Sequence, residues 1–134
     1  MKLLPLTLFL LLVSTSVFGQ SDTTDLYVIN NTNRLVSIKT DGKTHYAFCY
    51  RDLKSLRITK CFPFEDKQAL TDFFDRCEKS LETDKTLVTK HYNTSRNKLN
   101  KNVVRVNNKE GGYVLIKYDT LQKMRNAFDK STKK

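Results

Sequence analysis

The chain has no tryptophan, two prolines, four glycines and three cysteines in its 134 residues. Three cysteines are too few for the disulfide framework that small secreted scaffolds use in place of a core. The gaps between Cys49, Cys61 and Cys77 are far wider than the paired spacing of structural zinc sites, so no metal is expected. No phosphate-binding glycine loop is present and no cofactor is expected. The Gly-Xaa-Ser-Xaa-Gly elbow and the His-Glu-Xaa-Xaa-His helix are missing too, which removes common hydrolase signatures. No apolar run reaches the ~20 residues that a spanning helix needs. Acids are also scarce, with 14 Asp and Glu against 24 Lys and Arg.

What is present begins with Met1-Lys2, an apolar stretch from Leu3 to Val13 interrupted by Pro5 and Thr7, and then small and polar residues to Gln20. A positive start, an apolar centre and small residues at the exit are the order of a cleavable secretory signal. Cleavage is expected after Gly19, which puts Val17 and Gly19 at the two positions that favour small side chains. The expected division is a signal at 1–19, a flexible leader at 20–25, one α+β domain at 26–130 and a basic tail at 131–134. Removing residues 1–19 from the 134 leaves 115 and deletes one base, Lys2, so the formal charge falls from +10 to +9. A chain of that length can bury a modest core as a single domain. The expected location is secreted or periplasmic, with no transmembrane span after cleavage. An oxidising compartment allows one bridge among Cys49, Cys61 and Cys77 and leaves one buried thiol. Cys49 with Cys61 and Cys61 with Cys77 are both compatible with the pattern.

Four extended runs come first: Leu26–Asn30, Leu35–Thr40, Lys43–Tyr50 and Leu56–Phe62. Asp41-Gly42 between the second and third is a hairpin signal. In the third run Tyr46, Phe48 and Tyr50 alternate with His45, Ala47 and Cys49, so one face is aromatic and reads as the inner face of a sheet. Pro63 is expected to end the fourth run, and Phe64-Glu65-Asp66 to open a helix with acids at its positive end. Leu70, Phe73, Phe74, Cys77 and Leu81 then form one helical stripe. Strands are expected again at Leu87–Tyr92, Val103–Val106 and Tyr113–Tyr118, the last two joined through Gly111-Gly112, before a short helix marked by Leu121, Met124 and Phe128. The fold class is α+β, mainly antiparallel sheet of about seven strands with a central and a C-terminal helix. This order of elements resembles the pleckstrin-homology superfamily, in which a bent sheet is plugged at one end by its last helix. The resemblance is of order alone, and the helix from Asp66 to Leu81 is then an insertion. No function follows from it.

The strongest charge feature is Lys85 to Lys109, which holds seven Lys and Arg and no acid. Such a stretch attracts phosphates, acidic glycans or anionic headgroups. The candidate anion-binding residues are Lys90, Arg96, Lys98, Lys101 and Arg105, and the expected partners are an anionic polymer, lipid headgroups or an acidic protein. No helix-turn-helix or zinc-finger pattern points to specific nucleic acid. The expected function is therefore a non-catalytic exported binding or accessory module. One alternative is a small hydrolase with ribonuclease-like acid–base chemistry at His45 and His91, which requires the two imidazoles to share a cleft. Another is a structural protein of an envelope assembly that pairs through a strand edge. Asn30-Asn31-Thr32 and Asn93-Thr94-Ser95 match the N-glycan acceptor pattern.

Overall fold

The computed structural model describes residues 21–133, so the segment expected to be a signal, 1–19, lies outside the described residues. Among the described residues eight strands and two helices follow in the order β1 (Ser21–Val28), β2 (Arg34–Thr40), β3 (Lys43–Arg51), β4 (Thr59–Phe64), α1 (Lys67–Thr83), β5 (Leu87–Val88), β6 (Tyr92–Arg96), β7 (Val103–Asn108), β8 (Tyr113–Lys117) and α2 (Tyr118–Thr132). The fold is α+β, with two antiparallel four-stranded meanders, β1-β2-β3-β4 and β5-β6-β7-β8. Each meander is followed by one helix.

Local chemistry explains most of the boundaries. Asp41 and Gly42 both take positive φ, 52° and 78°, the geometry of a two-residue hairpin whose twist matches its strands. Thr40 therefore pairs directly with Lys43. Helix α1 starts where the Asp66 side chain accepts a hydrogen bond from the Ala69 N–H, and stops where Asp84 turns left-handed at φ 54°.

Five expectations are corrected. Ser21–Asp25, expected within a flexible leader, belong to β1 and pair with β2. Leu56 and Ile58 lie outside β4 and are 61% and 47% exposed. Pro63 does not end β4 but sits within it opposite Ala47; β4 is an edge strand, where a missing N–H is tolerated. The run Leu87–Tyr92 divides into β5, a turn and the start of β6. Finally, the strands form two separate four-stranded sheets, not the single bent sheet that the pleckstrin-homology resemblance implies.

One core joins both sheets and both helices. It holds Tyr46, Phe48, Tyr50, Phe62 and Phe64 from the first sheet, Tyr92, Val104, Val106, Val114 and Ile116 from the second, and the buried stripes of both helices. Phe73 of α1 is its hub, with ring centroids of Phe48, Phe62, Phe64, Phe74 and Tyr92 all within 6.4 Å. Both helices bridge the halves: α1 packs on β6 and β7 and also on β3 and β4, and α2 on β1 and also on β8. Arg125 of α2 ties the helices by bonding Asp75 at 2.8 Å and Glu78 at 2.9 Å on α1. Cys49 and Cys61 are cross-strand neighbours on β3 and β4 and form the disulfide, whereas Cys77 is free and buried. The bridge lies beside a smaller cluster of Val36, Ile38 and Ala47 on the other face of the first sheet.

The two sheets are also clasped at one corner by polar groups. Asp52, only 2% exposed, accepts hydrogen bonds from the N–H groups of Lys54 and Tyr113, each at 3.0 Å. Lys60 pairs with the same carboxylate at 3.5 Å and donates to the Gly111 carbonyl. Gly112 has φ 86°, and a Cβ there would run into the Asp52 carboxylate. The Asn108 amide donates to the Tyr50 hydroxyl at 3.0 Å nearby.

Candidate functional site

The second sheet has two unlike faces. Val104, Val106, Val114 and Ile116 point into the core, so by strand alternation Arg105, Asn107, Tyr113, Leu115 and Lys117 point outward. Both helices pack on the inner side, and the outer side stays open, with Val88 63% and Leu115 38% exposed. Between Lys85 and Tyr118 the sequence carries eight Lys and Arg against a single acid, Glu110. Strands β5 to β8 themselves contain no carboxylate.

Arg105 stands in the middle of this face. Its guanidinium lies 3.8 Å from the centre of the Tyr113 ring, and its Nε donates to Asn107 Oδ1 at 2.8 Å. The ring and the amide hold the side chain down without cancelling its charge. Lys98 and Lys101 are exposed in the loop between β6 and β7. Lys117 joins them at that end, because it pairs with Val103 at the start of β7. Lys98, Lys101, Arg105 and Lys117 form no ion pair among the described residues.

The remaining expected site residues are placed elsewhere. Arg96 turns toward the end of α1, where it pairs with Asp84 at 2.9 Å and lies close to the Leu81 carbonyl, so it is withdrawn from the open face. Lys90 and His91 occupy the turn before β6, at the opposite end of the sheet from Lys98 and Lys101. The His91 carbonyl there accepts from the Lys109 N–H at 3.1 Å. The five expected cations thus run along the sheet rather than making one cluster, and three of them, Lys98, Lys101 and Arg105, share its open side or its adjoining end. Lys117 was missed because it falls beyond the acid-free run; the alternation in Tyr113–Lys117 is the signal that places it outward.

Lys90 and His91 also line an open depression of about 220 Å³ between β4, α1 and the turn before β6. Its apolar wall includes Phe62, Phe64 and Tyr92, with Asp72 and Arg76 at its rim. Burial pushes the Tyr92 phenol up to about 12, so it stays protonated near neutrality. His45 is not among the lining residues. It belongs to β3 in the first sheet, with Nδ1 2.8 Å from the Glu65 carbonyl oxygen. The two histidines therefore stand on different sheets. Tyr46, Phe48 and Tyr50 are core residues. Of the two glycan acceptor asparagines, Asn30 is exposed, whereas Asn93 is half-buried within β6. Among the described residues no group of His, Cys, Asp and Glu could hold a metal ion, and no helix is long and apolar enough to cross a membrane.

Comparison with protein-family models, with curated proteins and with solved structures finds no match. The functional reading therefore rests on the chain's own geometry.

Proposed function

We propose that this chain is an exported, non-catalytic binding module that presents the open side of its second sheet to an anionic partner. Export is supported by the order of charge, apolar run and small residues across Met1 to Gln20. The observation that carries the binding role is the acid-free open face, with Arg105 held over Tyr113 and unpaired Lys98, Lys101 and Lys117 at one end. A face with one sign of charge raises the local concentration of oppositely charged partners, and its attraction is screened by salt.

The test is retention of residues 20–134 on heparin, a soluble polyanion, across a salt series. Retention should fall steeply with salt. Lys98→Glu with Lys101→Glu should lower the slope of log affinity against log salt by about two, while far-UV circular dichroism stays unchanged because both side chains are exposed. Undiminished retention of the double variant at low salt would remove these lysines from the site. Absence of any salt-sensitive retention by the parent chain would remove the proposal itself.

A further inference from the structure

The loop from Asn97 to Asn102 carries an arrangement that a soluble polyanion does not explain. Leu99, at its tip, is 96% exposed, the most exposed large apolar side chain among the described residues. A single exposed leucine ordinarily needs no explanation. This one is held out by its own loop: Asn97 Oδ1 accepts from the Leu99 N–H at 3.1 Å, and Asn100 Oδ1 accepts from the Asn102 N–H at 2.9 Å. Backbone bonds from Asn97 N–H to Val103 O at 2.8 Å and from Val103 N–H to Asn100 O at 3.2 Å close the loop beneath it.

What surrounds Leu99 has one chemical character. Lys98 and Lys101 flank it and are exposed. The Asn102 carbonyl accepts from the Tyr118 N–H at 2.7 Å, which brings Lys117 and the half-exposed ring of Tyr118 to the same end of the molecule. Asp84 and Asp119 are already engaged, with Arg96 at 2.9 Å and Lys123 at 3.1 Å. An apolar tip, an aromatic with a polar end and three unpaired lysines match the depth profile of an anionic bilayer. Acyl chains take the leucine, the interface takes tyrosine, and headgroup phosphates take the ammonium groups.

On these grounds, and resting on the anion-binding reading above, we infer that the anionic partner is a lipid surface, contacted end-on through the loop Asn97–Asn102 with Leu99 inserted. One inserted side chain and a few lysines give shallow, reversible attachment. An acidic glycan would use the lysines and leave Leu99 idle.

That difference is the test. Residues 20–134 contain both sheets, both helices and the whole shared core, and they exclude the apolar N-terminal run, which would insert by itself. Co-sedimentation with phosphatidylglycerol–phosphatidylcholine vesicles is compared with pure phosphatidylcholine vesicles and with heparin retention. The parent chain should bind the anionic vesicles and not the neutral ones. Leu99→Asn, which removes the apolar side chain without changing the charge, should weaken vesicle binding by roughly tenfold or more and leave heparin retention unchanged, whereas Lys98→Glu should weaken both, vesicle binding by at least about fivefold. Equal vesicle binding by Leu99→Asn and parent overturns the inference, whichever face then carries the lipid. Heparin retention without vesicle binding also overturns it and leaves the broader reading standing; loss of both removes the two together.

Discussion

Charge by itself does not say what a residue does here. Arg96 and Arg105 lie nine positions apart in one acid-free stretch, yet one is committed to Asp84 and the other to an open aromatic face. Strand parity separates them, and parity could be read only once β6 was known. Asp52 is the sharper case, a lone acid in a polar connection whose burial no local pattern announces. Burial pushes its carboxyl up, but hydrogen bonds from the Lys54 and Tyr113 N–H groups and the Lys60 charge outweigh that, so its pKa is lowered. A lowered folded pKa contributes stability above the ordinary carboxylate value and loses it as pH falls through the folded value. Asp52→Asn should therefore be less stable than the parent near neutrality, with the gap narrowing below about pH 4 in urea titrations; a gap independent of pH would mean that the charge does not act. Gly112 gives a companion comparison. Gly42→Ala, in open space, should cost about 1–2 kcal/mol for its positive φ, and Gly112→Ala distinctly more, because its Cβ also meets Asp52. Equal urea midpoints for the two would dismiss the clasp.

Elements were legible where the apolar period was strong. The stripe Leu70, Phe73, Phe74 and Cys77 gave α1, and Asp41-Gly42 gave the first hairpin. Strand β6 was not legible, because Tyr-Asn-Thr-Ser-Arg offers only one large apolar side chain. It is a strand for a tertiary reason: Thr94, fully buried, exchanges hydrogen bonds with Ser80 at 2.8 Å and reaches the Arg76 carbonyl of α1. Polar contacts to a helix thus do for β6 what apolar alternation does elsewhere, and the exposed side of the candidate face was hidden with it. The opposite error came from Leu56 and Ile58, which look like a strand face and lie in an exposed connection. The stripe of α1 makes its own prediction. Phe73 meets five aromatic rings from both sheets and its own helix, so Phe73→Ala should cost about 3–5 kcal/mol, read from chemical denaturation. A loss below 1 kcal/mol would show that the core closes around the gap and that Phe73 is not its hub.

At the scale of the whole molecule, the repeated order of four strands and a helix suggests two halves, but the packing denies them independence. Helix α1 follows the first sheet in sequence and packs on β6 and β7 of the second as well as on β3 and β4, while α2 lies against β1 as well as β8. This sharing could not be read from the chain, since element order carries no information about which sheet a helix covers. It implies a single cooperative unit, and the cysteines supply the means to test it. Cys77 on α1 is fully buried, and burial pushes its thiol well above the ordinary range, so a thiol reagent reaches it only when the core opens. The Cys49–Cys61 bridge is remote from that helix stripe, on the outer face of the first sheet, and spans a sequence separation of 12. Closing a loop of that size stabilises the chain by about 3 kcal/mol through the unfolded state. Replacing both bridge cysteines by alanine should therefore speed Cys77 labelling under native conditions by about a hundredfold, although neither substitution touches Cys77. If labelling does not change while the urea midpoint of the first sheet falls, α1 and the second sheet open on their own, and the molecule is two units rather than one.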